Sequence, residues 1–247
     1  MLNMNRLTVS DLENLPQPVS MGARHRPLPH HRFAKVIDNT LHDHGIEVIE
    51  SDLQTSHEHK RIFGTYYLRA PGMVQKLGDS VPGRVMPMLG WKNSTDQVIG
   101  GRVAMAGYVS NCSNGMWFIE RGFEVRRKNT IHAESGLQEL MRVMMRDYWE
   151  TYMQVIDHQL ELAETALADR DAHDLICRGV RQGITATRHA GRVLDAWHDT
   201  PFDWGSKSLW RLHNCHTYVM DREVRNPYVR SKRNLLLNDM MASAQLN

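Results

Sequence analysis

Two short polar segments, residues 90–96 and 110–115, contain the residue types best suited to chemistry in this chain. Both are rich in Asn and Ser, whose side chains hydrogen-bond to nearby backbone and tolerate unusual backbone angles. Residues 98–109 between them are dense in Gly, Val, Ala and Met, which favours a closely packed strand. Turns carry functional residues more often than core strands do. We therefore expect a site at these turns, with Asn93 as a functional residue and Asn114 as a turn former.

Cations and aromatic residues are interleaved in the same region, and the aromatic ones are Trp91, Tyr108, Trp117 and Phe123. Single-stranded nucleic acid is held by cations along its phosphates and by flat side chains beneath its bases. Alternation along a strand would place one such set on one face of a sheet. The alternative, that the aromatic residues belong to the core, stays open. The residues predicted to bind nucleic acid are Lys92, Asn93, Arg102, Arg121, Arg126, Arg127 and Lys128.

Other kinds of site have less support in the spacing of the residues. His42 and His44 are two residues apart, which on a helix directs them away from each other, so no metal site is predicted. Cys112 could act as a nucleophile only if a base such as His132 and an acid such as Asp96 converged on it. The sequence has no phosphate-binding loop, no Gly-x-Ser-x-Gly elbow and no His-Glu-x-x-His motif. We expect no catalytic residue, no metal and no cofactor.

Hydrophobic spacing predicts an α+β fold. Apolar residues at helical intervals from residue 31 predict a first helix that stops at Gly45. Strands separated by short turns predict an antiparallel meander, over residues 46–49, 61–69, 83–91, 98–109 and 115–126. A capping box at Ser135 predicts one long helix across the sheet to about residue 168, with an apolar stripe of Met141, Met145, Trp149, Tyr152 and Ile156. C-terminal helices are expected near residues 172–198, 207–222 and 228–241.

Composition and proline content predict the domain organisation. The prolines in residues 1–30 favour a flexible basic arm, ahead of a single α+β domain in residues 31–247. Within it, the helix and meander occupy residues 31–130 and the helical part residues 131–247. The chain has 247 residues, a net charge of +2, three cysteines without Cys-x-x-Cys spacing, and no signal-peptide or membrane-spanning pattern. We expect a cytoplasmic protein that does not bind membranes.

The central turns also carry a resemblance to a known family. The matching residues are Gly-Trp-Lys-Asn-Ser at 90–94 with Asp96, Gly-Tyr-Val at 107–109 and Cys-Ser-Asn-Gly-Met at 112–116, with weaker matches at 61–64 and 208–217. From about residue 33 to 217 the chain resembles the phage- and plasmid-like proteins of domain of unknown function nine-three-two. This resemblance implies an accessory protein of phages, plasmids or prophages. Where many relatives have His after Asn-Ser, this chain has Thr95, so no histidine site is carried over.

These patterns favour a protein that binds single-stranded DNA without a nucleotide cofactor and anneals or protects it. The order of helix, meander and long helix is similar to the core of phage single-strand annealing proteins, which assemble as rings or filaments. Homo-oligomer assembly is therefore an open expectation. Two alternatives also stay open. The first is an antagonist of host defence that binds a host protein, and the second is a cysteine- or metal-dependent enzyme.

Overall fold

The structure is a computed structural model that describes residues 5–20, 25–109, 114–116, 124–127 and 132–245. Its described strands form one antiparallel sheet in the order β1-β2-β3-β4-β5-β6, with β7 also paired to β5. The strands are β1 Asn5–Leu7, β2 Val48–Ser56, β3 Arg61–Leu68, β4 Val85–Ser94, β5 Gly101–Val109, β6 Asn114–Met116 and β7 Glu124–Arg127.

The described helices are α1 His30–Asp43, α2 Gly72–Ser80, α3 Ala133–Arg146, α4 Tyr148–Glu164, α5 Asp169–Arg181, α6 Ala190–His198, α7 Leu209–Glu223 and α8 Pro227–Gln245. The predicted α+β class, with an N-terminal helix, an antiparallel sheet and C-terminal helices, is therefore confirmed. Among the described residues, no helix combines the length and apolar character needed to cross a bilayer.

The chain divides into two compact units. Residues 1–70, 87–105 and 119–150 form the first, here called the sheet unit. Residues 71–86, 106–118 and 151–247 form the second, here called the helical unit.

The described N-terminal residues pack within the sheet unit and do not form a separate arm. β1 pairs with β2, with Leu7 opposite Leu53. Leu12 and Leu28 are both buried. Burial of these two side chains and one additional row of strand hydrogen bonds hold the segment in place despite its prolines.

The core of the sheet unit is built around Trp91 on β4. Its indole stacks on Phe33 of α1, with ring centroids 5.6 Å apart, and meets Tyr66 of β3 edge to face at 5.9 Å. Gly64 lies beneath the indole, where a Cβ would come within 2.2 Å of Trp91 Cε2. Such pairs of aromatic rings add about 0.5–1.5 kcal/mol beyond the area that they bury. The absence of a side chain at Gly64 therefore lets α1 dock on β3 and β4.

The predicted long helix is two helices, α3 and α4, which are separated at Asp147. The backbone of Asp147 leaves the helical region, at φ −106° and ψ 13°, and its carboxylate pairs with Arg146. Helix α3 begins at Ala133, and Ser135 does not cap it. The apolar stripe is nevertheless buried at Met141, Met145, Tyr152 and Ile156, whereas Trp149 is only half-buried.

Helix α7 is the central helix of the helical unit and is buried along most of its length. Ser208 caps it by accepting a hydrogen bond from the Arg211 N–H at 3.3 Å. The Asn214 amide donates to the Trp210 carbonyl oxygen at 2.9 Å, and the Thr217 hydroxyl to the Asn214 carbonyl oxygen at 3.1 Å. The Trp, Asn and Thr residues that contributed to the family resemblance are thus packing residues of this helix.

Replacing Gly64 with Ala tests the packing under Trp91. The new methyl group would overlap the indole, so we expect the free energy of unfolding to fall by about 2–3 kcal/mol. The control is Gly191→Ala in α6, where a Cβ meets no described atom within 4 Å and alanine favours the helix. Denaturant unfolding measures both. Equal stability of the two variants would contradict the proposed close contact.

Candidate nucleic-acid interface

Packing against α1 determines which residues of β4 and β5 share a face of the sheet. Trp91 of β4 stacks on Phe33, and Gly101 of β5 lies so close to Phe33 that a Cβ would come within 2.5 Å of its ring. Neighbouring residues of a strand lie on opposite faces. Lys92 and Arg102 therefore lie on the sheet face opposite α1, here called the second face.

The pairing of β5 with β7 adds a further cation to the second face. Arg126 is the cross-strand partner of Arg102, and Arg127 is the partner of Gly101. Directly opposed residues lie on the same face with Cα atoms about 4.5–5.5 Å apart. The register therefore assigns the backbone position of Arg126 to the second face and that of Arg127 to the α1 face. This register divides the predicted set between the two faces, with Lys92, Arg102 and Arg126 at positions of the second face.

The range 115–126, predicted as one strand, includes most of β6 and of β7, and residues 117–123 lie outside the described residues. β6 pairs with the end of β5, where Val109 is opposite Asn114, and β7 pairs with its beginning, where Gly101 is opposite Arg127. The two short strands therefore pair with β5 in different registers. The register of β7 places Arg126 opposite Arg102.

Two aromatic residues that the sequence did not single out also lie on the second face. Phe63 of β3 is opposite Lys92, and Tyr67 of the same strand is opposite Met88. Tyr67, Lys92 and Arg102 are partly exposed, whereas Phe63 is buried. Trp91, predicted as a base-stacking residue, is core instead. Only the cross-strand register reveals the neighbourhood of Phe63 and Lys92, because they are far apart in sequence.

Acidic residues of the second face are concentrated on a different strand from the cations. Asp52 and Glu50 of β2 are opposite Thr65 and Tyr67, so they lie on this face at its β2 side. The cations occupy β4, β5 and β7 instead, although Glu124 is also present, opposite Ala104. The face therefore has a basic side and an acidic side, and a polyanion would be attracted to the basic one.

Asn93 is a buried structural residue in this fold. It is 0% exposed, and its amide nitrogen donates to the Leu28 carbonyl oxygen at 2.8 Å and lies 3.1 Å from His30 Nδ1. His30 Nε2 in turn lies 2.9 Å from the His59 carbonyl oxygen. These partners assign the proton to Nε2 and the acceptor role to Nδ1. Asn93 joins the N-terminal segment to α1 and β4, so a direct contact with nucleic acid is not expected.

Burial keeps the His30 imidazole neutral. Loss of hydration lowers the pKa of His30 to about 4, against the smaller opposing effect of its hydrogen bond to the His59 carbonyl. The neutral ring can therefore accept the Asn93 hydrogen bond at neutral pH.

The turn between β2 and β3 lines a cleft of about 710 Å³ in the sheet unit, together with residues 16–19. His57, Glu58 and His59 have positive φ angles of 55°, 54° and 62°. Such angles cost non-glycine residues roughly 1 kcal/mol or more each, so neighbouring contacts must hold the turn. The Thr55 hydroxyl lies 2.9 Å from His59 Nδ1.

The charges around this cleft are paired. Lys60 contacts Glu58 at 2.9 Å, and Arg61 contacts Asp96 at 2.7 Å, where the Arg61 hydrogen bond helps to hold the pKa of the Asp96 carboxyl below its usual value against the opposing effect of burial. The cleft has the volume of a small-molecule site but no excess of positive charge, so it does not extend the basic side of the second face.

Several predicted site residues lie outside the described residues, namely Arg121 and Lys128, with the turn at 110–113 and Cys112. Asn114 lies in β6 rather than in a turn. Burial raises the pKa of the Cys215 thiol to about 12, so it is inert as a nucleophile. Within the described ranges, no group of three or more His, Cys, Asp or Glu side chains is arranged to hold a metal ion.

Comparison with known proteins yields no match, since no family model, no curated protein and no solved structure is similar to this chain. The functional conclusion therefore depends on the geometry of the chain itself.

Replacing Asn93 with Ala tests whether this residue is structural. The change removes two buried hydrogen bonds and leaves the Leu28 oxygen and His30 Nδ1 without their donor, so we expect stability to fall by about 1–3 kcal/mol. Lys92→Ala, one residue away on the second face, is the control and should melt like the parent. Thermal melting and DNA binding are measured for both. If the Asn93 variant melts normally but binds DNA at least tenfold more weakly, the structural interpretation is contradicted and a direct contact between Asn93 and DNA is supported.

Proposed function

We propose that this protein binds single-stranded DNA along the basic side of the second face, without a nucleotide cofactor, and anneals or protects the strand. The observation that carries the proposal is the register that pairs Arg102 with Arg126, on the same face as Lys92. These cations come from three neighbouring strands in the order β4, β5 and β7.

The spacing of the strands suits a phosphate backbone that crosses them. Adjacent strands are about 4.7–4.9 Å apart, so one cation on each of three strands makes a row about 10 Å wide. Such a row attracts phosphates irrespective of base sequence, and binding releases counterions. Tyr67 has exposed surface on the same face and supplies an aromatic ring for stacking, although it lies opposite Glu50 beyond the row of cations. The expected binding is therefore independent of sequence and strongly dependent on salt.

The packing of the helices of the sheet unit agrees with this choice of face. Helix α3 packs against α1 and β7, and α1 covers Trp91. As part of this proposal, the expected relationship to phage- and plasmid-like proteins gives the protein a role in the DNA metabolism of a mobile element. On this proposal the protein acts in the host cytoplasm, and several copies cover one strand.

Binding to a host-defence protein is the main alternative, and salt dependence separates it from DNA binding. A surface row of cations predicts that affinity for DNA falls steeply as salt is raised. A protein that captures a host partner and shows no affinity for DNA would favour the alternative.

Replacing Arg126 with Ala tests the proposed face directly, because the adjacent Arg127 offers a control with the same change of charge. For single strands the logarithm of affinity falls with the logarithm of salt by about 0.7 per neutralised phosphate. We expect Arg126→Ala to reduce that slope by about 0.7, Arg102→Ala with Arg126→Ala to reduce it by about 1.4, and Arg127→Ala to leave it unchanged. Fluorescence anisotropy with a labelled oligothymidylate, over a salt series, measures the slopes.

Melting curves must show that each variant is folded. If Arg127→Ala weakens binding as much as Arg126→Ala, the division between the two faces is contradicted. If neither variant changes affinity or slope, the protein does not bind DNA through this strand.

A further inference from the structure

Two histidines of the helical unit bring their ring nitrogens together at the surface. Nε2 of His173 on α5 lies 3.1 Å from Nε2 of His198 at the end of α6. The ring centroids are 5.3 Å apart and the planes are inclined by 71°. His198 is exposed and His173 is half-buried, so solvent reaches the pair.

The helices that carry the two histidines are fixed to each other next to the pair. Trp197, which precedes His198, is fully buried, and its indole N–H donates to Asp169 at the start of α5 at 2.9 Å. Arg211 of α7 donates to the Trp197 carbonyl oxygen at 2.8 Å and also lies over the indole ring. Lys207 contacts the same Asp169 oxygen at 2.5 Å. The backbone positions of His173 and His198 are therefore set before any ligand arrives.

We propose that His173 and His198 form a binding site for a divalent transition-metal ion such as Zn²⁺, with one Nε2 atom of each ring as ligand. Imidazole nitrogens bind Zn²⁺ at about 2.0–2.1 Å. With the two nitrogens 3.1 Å apart, an ion at that distance from both makes an N–metal–N angle of about 100°. This angle lies between the octahedral and tetrahedral values, so small rotations of the rings complete the geometry.

The other coordination positions of the ion are open. In the described part of the chain no third His, Cys, Asp or Glu side chain completes a metal-binding group, and Asp169 Oδ1 already accepts from Trp197 and Lys207. Water, or a donor atom of another molecule, would occupy the remaining positions. Two protein ligands make this an exchangeable site, unlike a closed structural site with four. The site is independent of the proposed DNA-binding face.

The spacing of histidines in the sequence does not predict this site, because its ligands are 25 residues apart on separate helices. Histidines that are close in sequence, such as His42 and His44, belong to one helix and its cap rather than to two packed helices. Those two side chains are exposed in α1 and its C-terminal cap, and they provide a comparison for the His173–His198 pair.

Titration of the purified full chain with Zn²⁺ by calorimetry tests the proposal. We expect one Zn²⁺ per chain at this site, with affinity reduced at least tenfold in His173→Ala and in His198→Ala. His42→Ala is the control and should bind Zn²⁺ like the parent. Mg²⁺, which prefers oxygen ligands, should not compete.

A second variant separates a metal site from a simple hydrogen bond between the two rings. His198→Gln keeps a hydrogen-bonding side chain but removes the imidazole ligand, so it should melt like the parent and lose the same tenfold or more in Zn²⁺ affinity. Unchanged Zn²⁺ binding in the folded His173 and His198 variants would overturn the proposal. Loss of Zn²⁺ binding only in the His42 variant would overturn it as well.

Discussion

The packing of Trp91 between Phe33 and the bare backbone of Gly64 is the contact on which the sheet unit depends. It joins α1 to β3 and β4, and it determines which face of β4 is covered. Because side chains alternate along a strand, burial of Trp91 on the α1 face requires that Lys92 lies on the other. The same alternation buries Asn93, where its amide joins the N-terminal segment to the core. Packing of one indole thus separates the structural residues of this segment from those able to meet a ligand.

Charged residues lie on the second face, which this packing leaves for polar residues. Arg102 and Arg126 are cross-strand partners, and two like charges directly opposite each other are unfavourable unless other charges offset them. The helical unit shows the contrasting case, in which polar groups are buried and neutral. Burial lowers the pKa of His213 to about 4 and that of His216 to about 3, and one nitrogen of each ring is hydrogen-bonded, His213 Nε2 with Asn238 and His216 Nδ1 with Thr185. Helix α7 therefore contributes to the core, and its histidines are not candidates for acid–base chemistry.

Local sequence signals predicted the elements whose ends carry strong stop residues. Pro29 and Gly45 flank α1, and β3 is found at Arg61–Leu68, close to the predicted range 61–69. The break at Asp147 and the division of one predicted strand into β6 and β7 escaped prediction, since no proline or glycine marks the first and register decides the second. The N-terminal segment packs because β1 pairs with the edge of β2. The sequence of the segment alone does not reveal that this edge is available.

The candidate site was predictable only in part, for the same reason. Clustering of cations in sequence selected Lys92, Arg102 and Arg126, whose positions fall on one face by register, but it could not separate Arg126 from Arg127 without the pairing to β5. The sequence does not show that Asn93 is buried, because Asn occurs both in exposed polar turns and as a hydrogen-bonded amide in the core. Phe63 and the pair of His173 and His198 were missed because strand pairing and helix packing bring them to their partners.

Photo-crosslinking of the full chain to oligothymidylate, followed by mass spectrometry of the crosslinked peptides, tests the central claim most directly. If single-stranded DNA lies along the basic side of the second face, the crosslinks will fall on peptides of β3, β4 and β5 that contain Tyr67, Lys92 or Arg102, and high salt will suppress them. Crosslinks confined to residues 151–247, or none at all at low salt, would contradict the account.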